Sequence, residues 1–523
     1  MQHQVFKMRK DTTTFLHHMF VLLMFLSSFS FFMMFSYLQF DLGNKVPFMM
    51  RYSNNKIRQF GDTLRNTFNN RPVLGVLQEK CSTPFADVNS TLKVNPLFDN
   101  FTMHSLDLNK GWQTPSKVIY TQSIYDSPSF TLFKARIPAI VYHRDIFFVF
   151  CEARLEGSQD YGRMKLVLRR GIRQGLEVEW ERFQVIASLP YVRTMNPSPV
   201  VDKQRDVILV VFSTFPTDMD FRQMLEFQGK QLSDVYVVKS YDLGLSWTDP
   251  VSITHSTIAR LEPFPTLFVP GPGHSIQLSC GRIIVPGNYF QVDRYSREYP
   301  HLCRNCTNYC NIFYSDDGGV SWHAGGSTPY TEDQQGIPIQ PNEVQAVELN
   351  NGAVCINSRT IDADHTRSQA YSFDAGVTLS KPLLTSVFEP GYKKKKNKWH
   401  RASAGGCAAG LVRFPAPNSN PVNPTYWMIM SNPAHRMTRK FLSVRLSKDD
   451  CSTWSEPWIF HEDLAGYSDI TTFELTINHR KFTFFAVVYE GGTVNYQQHM
   501  LFKMFNLEAV VKGMHDSNRP TER

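Results

Sequence analysis

A few residues in this chain combine reactive or charge-binding side chains with distinctive local settings. Arg136 stands in Ala135-Arg136-Ile137-Pro138, Arg359 ends Ile356-Asn357-Ser358-Arg359, and Arg439 follows Asn432-Pro433-Ala434-His435. A guanidinium pairs bidentately with a carboxylate, and several arginines can share one such anion in a partly desolvated pocket. Tyr467 lies in Gly466-Tyr467-Ser468-Asp469, and Glu343 in Asn342-Glu343-Val344-Gln345. A tyrosine is neutral until a neighbouring carboxylate takes its proton. It can therefore attack a carbon beside a negative group without the repulsion an anionic nucleophile would meet. Asp160 sits in Gly157-Ser158-Gln159-Asp160-Tyr161-Gly162, whose glycines would let a loop close and deliver an acid. Taken singly, each residue is ordinary. A lone arginine in a strand is usually a surface residue, Glu343 alone reads as a solvated carboxylate, and Tyr467 alone as a core or turn tyrosine.

The elements that must position these residues read as strands. From about residue 116, short runs rich in Val, Ile, Phe and Tyr alternate with Gly, Pro, Asp and Ser turns, as at Ile146-Cys151 and Val207-Phe212. A repeat runs through them. Ser240-Tyr241-Asp242-Leu243-Gly244-Leu245-Ser246-Trp247 returns as Ser315-Asp316-Asp317-Gly318-Gly319-Val320-Ser321-Trp322. Degenerate copies begin at Ser372 and Ser447. Ser and Asp can bond turn amides, Gly can take positive φ, and Trp can pack back between sheets. These units resemble Asp boxes, which mark a propeller scaffold but not catalysis.

With the repeat in place, the motifs resemble those of the animal-type exo-α-sialidase (neuraminidase) family. Phe133-Lys134-Ala135-Arg136-Ile137-Pro138 is similar to its Arg-Ile-Pro motif, and the matches run in family order from about residue 118 to 508. The resemblance implies an all-β, six-bladed β-propeller of the sialidase type, which the N-terminal sequence, read below, places after one transmembrane helix. It implies that Arg136, Arg359 and Arg439 hold the substrate carboxylate, with Arg436 and Arg445 as nearby rivals for the third place. Glu152 would orient Arg136, Asp160 would be the acid/base, and Glu343 would activate Tyr467 as nucleophile. Tyrosine nucleophiles are a known sialidase departure from the usual pair of carboxylates. Met195 and Asn196 resemble the Met-Asn-Pro turn beside the N-acyl group of the sugar. No cofactor or metal is implied. One departure stands out: where cytosolic relatives place two tyrosines for the glycerol arm, this chain reads Pro286-Gly287-Asn288-Tyr289-Phe290.

The ends and the composition place the chain. Met19–Leu38 carries no charge, and about twenty such residues at about 1.5 Å each cross a bilayer core. Lys7, Arg9 and Lys10 precede it, so the N-terminus is expected in the cytoplasm. The expected organisation is a cytoplasmic tail (1–14), a signal anchor (15–40), a stem (41–115), the propeller (116–510) and a tail (511–523). The catalytic part would be lumenal or extracellular; the alternative is secretion after signal cleavage. Sequons at Asn89, Asn100 and Asn305 agree with export, as do nine cysteines able to form disulfides. Cys303, Cys306 and Cys310 cluster closely but lack the partners of a zinc site. A net charge of +8 over 523 residues is modest, and no nucleic-acid module is present. The basic run Lys393-Lys394-Lys395-Lys396-Asn397-Lys398 reads as a solvated loop or a contact for anionic headgroups. The expected partners are sialylated glycans and, through the anchor, a membrane. Competing readings are an inactive sialidase-like lectin or adhesion module and a trans-sialidase.

Overall fold

The computed structural model describes residues 107–517, apart from short segments at 121–132, 221–222, 225–231, 262–264, 266, 293–305, 363, 396–397, 402–404 and 421. The expected cytoplasmic tail, anchor and nearly all of the expected stem lie outside the described residues. Among the described residues no helix is long and apolar enough to cross a membrane.

The described strands pair antiparallel and form a propeller-like array. One five-stranded sheet contains Lys134–His143, Ile146–Arg154 and Met164–Gln174, with Glu177–Trp180 and Gln184–Ala187 both on its outer strand. A four-stranded sheet spans Val192–Asp202 to Val251–Ser252, a five-stranded one Leu267–Pro270 to His323–Ser327, and another four-stranded one Pro341–Glu348 to Leu383–Leu384. The expectation of six separate blades needs correction. The remaining blade strands join one seven-stranded sheet because Trp458–Ile477 runs for 20 residues without a break. Its first part pairs with Lys440–Ser447 and its remainder with Arg480–Gly492. The basic run belongs to a separate two-stranded hairpin, Tyr392–Lys395 with Lys398–Arg401.

Burial on both faces explains why the strands read as unbroken apolar runs. In Ile146–Arg154, Phe147 and Val149 pack against Phe484 and Phe502, whereas Phe148 and Phe150 pack against Ile208 and Phe212 of the next sheet. Similar layers join each sheet to its successor. The first described strand, Lys117–Tyr120, pairs with His499–Asn506, so an early strand completes the last sheet. Residues 107–115, expected in the stem, are also docked here: Trp112 donates its N–H to Asn506 Oδ1 at 2.8 Å.

All four Asp boxes build the same turn, including the degenerate copies. Ser240 Oγ donates to Asp242 Oδ1 at 2.8 Å and accepts the Gly244 N–H at 2.7 Å. The equivalent bonds form at Ser315, Ser372 and Ser447. The fourth copy uses Cys451 at φ 65° where the others place Gly. An element outside the all-β expectation is the C-terminal helix Leu507–Ser517. Asn506 Oδ1 accepts the Ala509 N–H at 3.1 Å, which caps its first turn. Gly513 permits its close approach, since a Cβ there would lie 2.1 Å from Trp458.

The cysteines divide. Cys280 is in a disulfide, whereas Cys151, Cys310, Cys355, Cys407 and Cys451 are buried free thiols. Cys303 lies outside the described residues.

Candidate active site

Backbone irregularities set the site. Four long strands lose register between Arg136 and Ala139, Met195 and Ser198, Pro341 and Val344, and Ala465 and Ser468. Bulges bend a strand and re-aim its side chains. These four carry Arg136, Asn196, Glu343 and Tyr467. Ile137 takes φ 61°, a costly choice for a β-branched residue. A buried carboxylate holds it there: Glu490 Oε1 accepts the Ile137 N–H at 3.1 Å.

Tyr467 is the hub of the cluster. Its buried hydroxyl donates to Glu343 and accepts from Arg359 Nη1 at 2.9 Å. Glu343 also pairs with Arg359 at 2.6 Å, and Arg359 Nε donates to the Gly405 carbonyl at 2.6 Å. The Arg439 guanidinium carbon lies 5.0 Å from the Tyr467 ring centre, and that of Arg136 lies 5.3 Å away. The rivals for the third arginine point elsewhere. Arg436 covers Phe388, and Arg445 donates to the Ser455 carbonyl. Burial and the Glu343 charge push the Tyr467 phenol above its usual range, while Arg359, Arg439 and Arg136 pull it back. The resting group is a neutral phenol hydrogen-bonded to Glu343. Burial opposes the charge of Arg359, but Glu343 and Tyr467 more than offset it.

The expected Glu152–Arg136 ion pair is replaced by another. Arg136 Nε donates to Glu490 Oε1 at 2.7 Å, and Glu490 also accepts the Tyr467 N–H at 3.3 Å. Glu152 instead holds Arg154, with Nε at 2.7 Å and Nη2 at 2.6 Å, and accepts the Asn196 N–H at 2.8 Å. Arg154 stands two residues along the same strand and so shares the face of Glu152, whereas Arg136, although opposite Glu152 in the register, turns to Glu490. The shared face was a signal available in Glu152-Ala153-Arg154. Glu490 left a fainter one, a carboxylate ending the apolar run Phe482–Tyr489 before Gly491-Gly492.

Asp160 belongs to a different environment. Its carboxylate is 66% exposed and pairs with Arg154 Nη1 at 2.7 Å. Arg154 and Arg136 both donate to the Ser158 carbonyl, at 2.6 and 3.5 Å, which ties the loop to the arginine cluster. Partial enclosure raises the Asp160 pKa, but Arg154 and then Arg136 outweigh it and leave the carboxyl below its usual range. Met195 turns into an apolar group with Met164, Phe215 and Met224, and its sulfur meets Arg193 Nε at 3.2 Å. Asn196, at φ 55°, extends its amide toward the Pro270 carbonyl at 3.4 Å. Asn288 and Tyr289, in the segment that departs from the relatives' tyrosine pair, are fully buried. Among the described residues no cluster could hold a metal ion.

A family profile described as "BNR repeat-like domain" matches residues 147–478. The chain is 28% identical over 414 residues to Sialidase-3 of Bos taurus, covering 71% of this chain and 89% of that protein. It is 26% identical over 439 residues to Sialidase-4 of Homo sapiens, covering 71% and 89%. Among solved structures, the Hadza microbial sialidase superposes with a TM-score of 0.56 at 19% identity, covering 72% of this chain and 66% of that one. That likeness shows the propeller-like fold. Together the repeat profile and the curated relatives establish that the chain belongs to the BNR-repeat family and, within it, to the animal-type sialidases, which are glycoside hydrolases.

Proposed function

We propose that this protein is an exo-α-sialidase that releases terminal sialic acids from glycolipid, glycoprotein or oligosaccharide chains with retention of configuration. The carrying observation is Tyr467, bonded to both Glu343 and Arg359 with Arg136 and Arg439 against its ring. Three guanidiniums around one phenol suit a carbon that carries a carboxylate. The substrate carboxylate would be gripped by Arg136, Arg359 and Arg439. Tyr467 Oη would then attack the anomeric carbon while its proton passes to Glu343. Asp160, protonated in the complex, would give its proton to the glycosidic oxygen as that bond breaks. In the second step Asp160 takes a proton from water, the water oxygen replaces tyrosine at the same carbon, and Glu343 returns the phenol proton. Two displacements retain configuration.

The test is mass spectrometry of enzyme quenched during turnover of a sialoside. A sialyl adduct on the peptide containing Tyr467 is expected; an adduct on another residue would reject the assignment. We also propose that residues 15–40 anchor the chain with its catalytic part on the lumenal or extracellular face. Resistance to alkaline carbonate extraction, and a mobility shift on enzymatic removal of N-glycans, would follow. A chain released by carbonate and lacking glycans would refute it.

A further inference from the structure

Arg154, Arg193, Arg282 and Arg367 are fully buried. Three of them face a carboxylate: Arg154 pairs with Glu152, Arg282 with Asp316 and Arg367 with Glu389. Arg193 differs. Among the described residues no carboxylate pairs with it. Its nitrogens meet the sulfurs of Met195 at 3.2 Å and Met224 at 3.7 Å, and its guanidinium carbon lies 5.5 Å from the Phe215 ring centre. Burial pulls its pKa down to about 10, and the charges of Glu152 and Asp160 restore only part of that loss. A buried charge without a paired counter-ion is costly, so what it holds in return matters.

Two carbonyls give the answer. Arg193 Nη1 donates to the Pro216 carbonyl and, at 2.8 Å, to the Met219 carbonyl. Both belong to the turn that follows the strand Val207–Pro216. Between them, the Thr217 carbonyl accepts the Gly162 N–H at 3.2 Å. Gly162 lies at the far end of the Asp160 loop, whose base closes where the Leu155 N–H meets the Arg163 carbonyl at 3.0 Å. The near end is held separately, by Arg154 on the Ser158 carbonyl.

We infer that Arg193 is a positioning residue for the acid: by clamping the turn at 216–219 it holds Thr217 against Gly162 and fixes the far end of the Asp160 loop. This rests on the reading of Asp160 as the proton donor. Arg193 acts through the turn and touches no substrate. Charge-assisted bonds to the carbonyls on both sides of Thr217 restrain that turn more firmly than neutral ones would. The surroundings ask for something else. Met164, Met195, Phe215 and Met224 form an apolar group in which a methionine would pack without a buried charge. The arginine is therefore worth its burial for the loop it aims and not for the core it fills.

The test uses the full chain in detergent and the variant Arg193→Met. Its thermal unfolding midpoint should stay within about 3 °C of wild type, since a thioether suits the site. Hydrogen exchange at the Gly162 amide should be about fivefold faster, with the strand Ile146–Arg154 unchanged. The value of kcat/KM should fall about tenfold on methyl α-sialoside and less than about twofold on an activated aryl sialoside, whose leaving group needs no proton. A role in the fold alone would lower both equally. Should Arg193→Met fail to fold, Arg193→Lys, which keeps the charge but not the planar fork, takes its place in both measurements. Equal losses on the two sialosides, or wild-type exchange at Gly162, would overturn the inference while leaving the sialidase reading intact. A wild-type chain that cleaves neither sialoside would overturn that reading and the positioning role with it.

Discussion

The proposed nucleophile end of the site and its proposed acid end are built on opposite principles. Tyr467 and Arg359 are buried and Glu343 partly so; the three come from different strands and already satisfy one another. Asp160 is largely exposed, sits in a glycine-flanked loop and is tethered through Arg154. The contrast follows from the chemistry. Charge that develops at one fixed carbon is best met by groups that need no reorganisation. A proton donor must reach leaving groups of varied shape and let them go, which favours a loop.

The contrast can be broken from either side. The largest effect belongs to the hub: Tyr467→Phe should lower kcat on the order of 10³-fold while leaving the fold intact, read as sialic acid release. Equal rates would dissolve the nucleophile end altogether. Glu490→Ala should cost about 3–5 kcal/mol in denaturant unfolding, because it strands the buried Arg136 charge and two backbone N–H groups. It should also weaken binding of a sialic acid analogue, whereas Glu152→Ala should destabilise without that loss. If the two variants bind alike, Arg136 is not positioned through Glu490.

At the acid end, Asp160→Asn should cost about 10²-fold on an alkyl sialoside and much less on an activated aryl one, whose leaving group needs no proton. Equal losses on both would remove Asp160 from the acid role. The smallest effect concerns pH. Arg154 holds the Asp160 carboxyl below its usual range, so the protonated fraction of free enzyme falls as pH rises through that lowered value. Arg154→Gln should raise that value and move the alkaline limb of kcat/KM to higher pH; a limb that stays put would detach Arg154 from the acid. The sign for stability is separate. A depressed folded pKa means this pair stabilises above the unfolded value of about 3.9 and is lost as pH falls through the folded one.

The two ends were also unequally legible. The loop around Asp160 was legible locally as a loop, through glycines on both sides of one aspartate, but those glycines alone mark a turn and not an acid. The nucleophile end was legible only as separate pieces, Glu343 and Arg359 on neighbouring strands and Tyr467 more than a hundred residues on. Glu152 was expected on Arg136, its cross-strand partner, but its carboxylate holds Arg154, two residues along its own strand. Glu490, which holds both Arg136 and the Tyr467 backbone, was missed.

By itself, the sequence determined a strand-built chain with four Asp-box turns, and the order along it of the three arginines proposed to grip a carboxylate. Turn chemistry and strand period are local, acting over a few residues, so they survive in a linear reading. Only the tertiary structure decided which partner each charge takes, where the bulges aim, and that two sheets' worth of strands fuse through Trp458–Ile477. Arg136 and Glu490 are 354 residues apart. A contact of that separation depends on how the strands close upon one another, and no local pattern records it.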